Sequence, residues 1–211
     1  MKVKIAILTS PNQWFCSFIE QLSVELGGAQ VFENHNDILE PYDVVFILSY
    51  HKIVDNFFLS KNKHNIVIHA SDLPAGKGWG PLFWQVLEGK SKIIFSMFEA
   101  TEGVDDGPIY MQQALLLNGL ELNEELRYKQ ASIQIKMCKS FVENYSTFKH
   151  PQAQNGDESF YPKRNASDSE LDINKTIKDQ FNLLRIVNNE EYPAFFYIND
   201  KKYVIKIYSE K

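Results

Sequence analysis

Cysteine is nearly absent: the chain of 211 residues has two, Cys16 and Cys138. Both fall in apolar, helix-like patterns, which favours buried free thiols over a disulfide. There is no CxxC and no paired His/Cys spacing, so neither a structural zinc site nor any other bound metal is expected. A basic surplus is missing as well. The chain has 22 Lys and Arg against 27 Asp and Glu, a formal charge of -5, and neutralising a phosphodiester backbone needs the opposite balance. Nucleic acid is therefore not expected as the main partner, although a local basic patch stays open. Long apolar runs are lacking too. None approaches the ~18 residues of a membrane span, and the opening KVKIAILTS is too short and too soon interrupted for a secretory leader. The expectation is a cytoplasmic protein that does not use a membrane. The remainder is ordinary globular material, 44% hydrophobic and 23% charged, enough to build a core.

Strand-like and helix-like runs alternate through the first two thirds. KIAILTS, AQVFE, DVVFILS and NIVIH read as four strands, the third apolar on both faces as a central parallel strand should be. FCSFIEQLSVEL has apolar residues at helical spacing and stops at Gly27-Gly28, KIVDNFFL reads as a short helix, and PLFWQVLEG as another, with Pro81 in its first turn and Gly89 as its stop. KIIFSMFEA and PIYMQQALLL are further strands, separated by the loop TEGVDDG. From Leu122 to Phe148, Leu126, Ile133, Met137 and Phe141 share one face of a long helix. HPQAQNGDES, residues 150–159, is polar and turn-rich, a linker by composition. A helix over Asn174 to Val187 and a hairpin turning at Asn199-Asp200 follow. The expected architecture is α/β, a mostly parallel sheet in residues 1–150 with a small α+β appendage in 151–211. Sites in such sheets lie at the carboxyl ends of strands.

His69 ends one of those strands. Such a histidine either takes and gives a proton near neutral pH or is satisfied by a backbone carbonyl, and position alone does not choose. The carboxylates of TEGVDDGP, Asp105 and Asp106, are either a solvated acidic turn or, from an adjacent strand end, the group that orients and charge-stabilises the imidazole.

The segment HASDLPAGKGWGPLFWQVLEG resembles the hallmark of the folate-dependent formyltransferases. His69, Ser71, Leu73, Pro74, Gly78, Pro81 and Trp84 are in register with it, and the family's Asp-x-Gly-Pro matches Asp105, Gly107 and Pro108, 36 residues beyond His69. The likeness extends to YPKR, FNLLRIV and YPAFFY near the C-terminus. It implies a Rossmann-like formyltransferase domain with His69 and Asp105 as catalytic residues and 10-formyltetrahydrofolate as formyl donor. DVVFILSYHKIV is similar to the strand and loop that hold the pterin ring in these enzymes, which implies folate contacts from Leu48, Ser49, Tyr50, His51 and Ile53 as well as Asp105. One position departs from the pattern: the family's asparagine two residues before the histidine is Val67 here. Asn65 lies two residues further back on the same strand face, ~7 Å away along the chain, and enters the catalytic set with that offset. Ser71, or His69 with a backbone N–H, is the other candidate to hold the formyl oxygen.

Members of the family formylate methionyl-tRNA, glycinamide ribonucleotide or nucleotide-linked amino sugars. The tRNA enzymes carry a larger nucleic-acid-binding domain than residues 151–211 would provide, and TSPNQW lacks the glycines of a phosphate nest. The resemblance therefore implies a nucleotide-linked amino sugar as acceptor, a UDP- or dTDP-4-amino-4,6-dideoxy sugar of surface-glycan biosynthesis. Its contacts are expected from Ser71, Asp72, Lys77, Gly78 and Trp79, with Lys77 either at the diphosphate or a solvated loop lysine, and Asp72 either on the sugar or capping the next turn. A second copy of the chain is a candidate partner. A formyltetrahydrofolate hydrolase and a non-catalytic folate or nucleotide-sugar binding module are the alternatives.

Overall fold

The first strand, β1 (Ile5–Leu8), and the third, β3 (Val44–Ile47), are apolar and buried at every position, as strands covered on both faces must be. A computed structural model describes residues 3–147 and 150–210. In chain order the elements are β1, α1 (Cys16–Glu25), β2 (Gln30–Phe32), β3, α2 (Asn56–Lys61), β4 (His64–His69), β5 (Lys77–Gly78), α3 (Pro81–Leu87), β6 (Lys92–Glu99) and β7 (Ile109–Leu116). They continue with α4 (Asn123–Glu143), β8 (Phe160–Tyr161), α5 (Phe181–Ile186), β9 (Ala194–Ile198) and β10 (Lys201–Ile205). Six strands form one sheet in the order β2-β1-β3-β4-β6-β7. One face packs on α1 and α4 through Phe15, Leu22, Phe46, Phe95, Met137 and Phe141, and the other buries Leu8, Ile38, Val45 and Phe58. The four predicted face residues of α4 are all buried.

The pairings from β2 to β4 are parallel, but β6 runs antiparallel to both β4 and β7. The short TEGVDDG connection requires this for β6 and β7, because a parallel pair needs a crossover of a dozen residues or more. The consequence reaches the site. Glu99, at the end of β6, lies opposite Ile66, and Ala100 donates its N–H to the Asn65 carbonyl at 2.7 Å. The loop after β6 therefore leaves the sheet at the far end of β4 from His69, not at an adjacent carboxyl end as expected. It reaches His69 by doubling back.

Two helices are shorter than their sequence pattern. The last one begins at Phe181 rather than Asn174, because side chains in that stretch bond local backbone: Asp172 accepts from the Asn174 N–H, Asp179 from that of Thr176, and Gln180 donates to the Asp172 carbonyl. Such bonds compete with helix. The α4 helix ends at Glu143, and Phe148, to which it was expected to extend, lies outside the described residues. Asp55 caps α2 by accepting from the Phe58 N–H at 2.8 Å, which explains why that helix starts no earlier. The hairpin turns at Asn199 and Asp200, both with positive φ (48° and 63°), the geometry of a type I′ turn.

The segment after residue 150 folds back on the sheet domain. Its β8 pairs in parallel with β5, and α5 is tied to the β7–α4 corner by Glu121. That carboxylate, 2% exposed, accepts from the Asn118 and Gly119 N–H groups, from Lys129 and from Arg185. Burial alone would raise its pKa, but the Lys129 ammonium and the backbone N–H groups overcome this and hold it at about 2. A carboxylate depressed from its ordinary 4.5 to about 2 contributes on the order of 3 kcal/mol above pH ~5, lost as the pH falls through 2. Glu121→Gln is expected to lower stability by about 2–3 kcal/mol at pH 7. Urea titrations should show the gap to wild type closing between pH ~5 and ~2, and a gap independent of pH would remove the ionic explanation.

Candidate functional site

His69 is the last residue of β4 and is 9% exposed. Its Nε2 lies 2.9 Å from the Gly76 carbonyl oxygen, which can only accept, so Nε2 carries a proton. Its Nδ1 faces the Asp105 carboxylate, with Oδ2 at 3.7 Å. That gap is too long for a charge-assisted hydrogen bond, which closes near 2.8 Å. The two side chains are apposed, and Nδ1 remains available to a third atom.

Asp105 owes its place to the returning loop. Gly107 makes the crossing over the end of β6: a Cβ there would lie 1.6 Å from the Glu99 carbonyl oxygen. Asp105 then adopts a left-handed φ of 51°, which short polar side chains tolerate. The Gly78 N–H donates to its Oδ2 at 2.9 Å, and Gln154 donates to the carbonyls of Asp105 and Gly107, each at 2.8 Å. Lys77 reinforces the loop. It is 2% exposed, and its ammonium lies 2.7 Å from both Asp106 and Glu158. Gly78 (φ 94°) is pressed against the C-terminal segment, and a Cβ would meet the Tyr161 carbonyl oxygen at 2.6 Å.

The other predicted site residues divide. Ser71 lies beneath Gly76, fully buried, and its hydroxyl has no hydrogen-bond partner among the described residues. Asp72 accepts from the Gln112 side chain, while its carbonyl accepts the Ala75 N–H in a turn. Trp79, 43% exposed, packs edge-on to His51 at 5.5 Å. Loss of water around the His51 ring, then the Lys163 charge, lowers its pKa. Leu48 is core, Ser49 has a left-handed φ of 52°, and Ile53 faces solvent at 80% exposure. The Tyr50 hydroxyl is engaged by the His35 ring at 2.6 Å. Asn65 is not brought to His69. It lies four residues down the strand, ~13 Å at strand rise, and its amide bonds the Leu59 carbonyl and Asn62. A trough of about 870 Å³ opens between α2 and the returning loop, lined by Asn56, Phe57, Thr101, Glu102 and Asp106. Among the described residues no group of three or more His, Cys, Asp or Glu could hold a metal, and no helix is long and apolar enough to cross a membrane.

The sequence did not disclose Gln154, Glu158 and the Gly76 carbonyl. The first two lie in a stretch whose composition says only linker, and the third is backbone.

Comparisons with known proteins bear on the same residues. The sequence model of the family described as formyl transferase matches residues 28–138. A methionyl-tRNA formyltransferase of Ehrlichia ruminantium is 29% identical over 162 residues, 76% of this chain and 52% of the relative. The chain thus spans about half the length of the curated relatives it matches. Among solved structures, a methionyl-tRNA formyltransferase from Clostridium thermocellum superposes with a TM-score of 0.81 at 19% identity, covering 99% of this chain and 94% of that one. A 4-N formyltransferase from Francisella tularensis gives 0.78 at 16% identity, covering 100% and 99%. At these identities the structural likeness is one of fold.

Gly78→Ala is expected to break the Gly78–Asp105 hydrogen bond and loosen the β5–β8 pairing, through both the clash with Tyr161 and the positive φ. Hydrogen exchange should speed up at residues 77–79 and 160–161 while β1 and β3 stay protected. Unchanged exchange at those amides would show that the close approach is not maintained in solution.

Proposed function

The chain belongs to the formyl transferase family, and we propose that it moves a formyl group from 10-formyltetrahydrofolate to the amine of a nucleotide-linked amino sugar. The observation that carries this reading is the buried His69–Asp105 pair, joined across 36 residues of sequence by a loop that doubles back to meet the histidine. In the proposed reaction the acceptor amine attacks the formyl carbon and a new N–C bond forms. The carbon's bond to the folate nitrogen breaks, and the proton lost by the amine ends on that nitrogen. Charge develops on the formyl oxygen. Protonated at Nδ1, His69 is the donor for it, and a preorganised donor of this kind is typically worth ~3 kcal/mol. Asp105, fixed by the Gly78 N–H, faces Nδ1 and helps carry the proton from amine to leaving nitrogen. With Val67 in place of the family's asparagine, the unspent Ser71 hydroxyl is the second donor proposed. Asn65 has no part in this scheme.

For the folate, the trough beside the returning loop, whose lining includes Asp106, the neighbour of Asp105 in sequence, is the proposed seat. For the acceptor, the acidic balance of the chain supports a nucleotide sugar over tRNA, while the fold is shared by formyltransferases of both kinds. The curated relatives named for methionyl-tRNA make that substrate the necessary control.

The test is to mix the protein with 10-formyltetrahydrofolate and UDP- or dTDP-4-amino-4,6-dideoxy sugars, with methionyl-tRNA in parallel. Mass spectrometry would follow the formylated product and absorbance the released tetrahydrofolate. Formylation of methionyl-tRNA alone would overturn the acceptor assignment, and tetrahydrofolate release without product would favour hydrolysis. His69→Ala and Asp105→Asn are each expected to reduce turnover by at least ~100-fold with the circular dichroism spectrum unchanged. Turnover near wild type in either variant would remove the pair from the mechanism.

A further inference from the structure

A second cavity, of about 410 Å³, lies beside Trp79 and differs in chemistry from the folate trough. Five stretches of chain converge on it: the loop after β1, the Trp79–Phe83 stretch, α4, the residues after β8 and those after α5. Three of its lining residues are cationic: Arg127, Lys163 and Arg164. The Arg127 guanidinium stands 4.4 Å from the Trp14 ring centre and 4.3 Å from that of Phe83. Its hydrogen bond goes to a neutral group, the Gln130 side-chain oxygen at 3.1 Å. Arg164 donates through Nη2 to the Asp168 carbonyl at 3.0 Å, and its Nε is buried with no partner among the described residues. Neither arginine has a carboxylate within ion-pairing distance among the described residues. Lys163 projects over the Trp79 ring at 5.0 Å. One carboxylate, Glu191, lines the cavity, and its charge only partly offsets the burial that pulls the Arg127 pKa down to about 9.

Guanidinium groups taken from water without an anionic partner are costly to hold, and their fork geometry matches phosphate oxygens. The cavity also exposes ring surface, with Trp79 and Tyr192 each 43% accessible, and flat apolar surface beside cations suits a heterocyclic base. Lys77, the other candidate for a phosphate, is already neutralised by two carboxylates. Trp79 directly follows Gly78, whose N–H holds Asp105, so a ligand against Trp79 lies one residue from the catalytic backbone.

We infer that this cavity is the seat of a nucleoside diphosphate, its phosphates on Arg127, Arg164 and Lys163 and its base against the Trp79 and Tyr192 rings. The inference rests on the acceptor being nucleotide-linked, and it places that nucleotide away from Lys77.

Calorimetric titration of the whole chain with UDP, dTDP, inorganic pyrophosphate, uridine and thymidine tests it without requiring turnover. A diphosphate is expected to bind, the bare nucleosides at least 10-fold more weakly, and Arg164→Gln and Lys163→Gln each to weaken the diphosphate at least 10-fold. Thermal stabilisation by 5-formyltetrahydrofolate should be unchanged in both variants. Arg127→Met is the harsher test, because Arg127 also packs between rings, so the two other variants decide. His69→Ala should bind the diphosphate as wild type does. Wild-type affinity in both the Arg164 and Lys163 variants, equal binding of nucleoside and diphosphate, or tighter binding of a tRNA acceptor stem would each overturn the inference. Formyl transfer with an unchanged KM in Arg164→Gln would sink this cavity and leave the proposed reaction standing. Arginine-dependent diphosphate binding without any formyl transfer would do the reverse.

Discussion

The contact on which the site depends is the hydrogen bond from the Gly78 amide to the Asp105 carboxylate. Because β6 runs antiparallel to β4, the loop carrying Asp105 starts from the wrong end of the sheet. Nothing in the sheet itself would bring it to His69. The return depends on Gly107, which passes where no side chain fits, and on Gly78, which offers its N–H from a strand wedged against Tyr161. The C-terminal segment thereby acts on the site. By pairing β8 with β5 it fixes the one backbone donor that sets Asp105, and Gln154 and Glu158 brace the same loop.

The cations around this junction divide by what neutralises them. Lys77 is buried, but with Asp106 and Glu158 both at 2.7 Å its charge is met within the protein, and it serves to hold the returning loop to residue 158. Arg185 is likewise met by Glu121. Arg127 and Arg164 are the exceptions, partly desolvated and facing rings, carbonyls and an amide. A folded chain tolerates such groups at a cost in stability, and the cost is intelligible where an incoming anion removes it.

Much of this was legible in the sequence, and the rest failed for identifiable reasons. His69 could be placed because a short apolar run ending in a polar residue before Gly and Pro marks a strand's carboxyl end. The hairpin turn at Asn199-Asp200 and the buried face of α4 were equally local. Strand direction was not local: KIIFSMFEA reads the same parallel or antiparallel, and only its pairing with β4 shows that the loop must reverse. The final helix misled because its apolar spacing continued through a stretch where Asp172, Asp179 and Gln180 bind nearby backbone. Arg127 and Arg164 gave no signal, since the cavity joins segments well separated along the chain, from Asn12 to Tyr192. An arginine on a helix or after a strand looks solvated until its neighbours are known.

Trp79 connects these observations. It follows Gly78, the donor to Asp105, it forms a wall of the cationic cavity, and its ring meets both the Lys163 ammonium and the His51 ring. Beneath the ring the backbone is held by two adjacent hydrogen bonds, from the Trp79 N–H to the Tyr161 carbonyl at 3.0 Å and from the Gly78 N–H to Asp105 at 2.9 Å. The cavity wall therefore stands one peptide unit from the donor that holds Asp105. The glycine that leaves no room for a side chain thus adjoins an exposed tryptophan on the cavity.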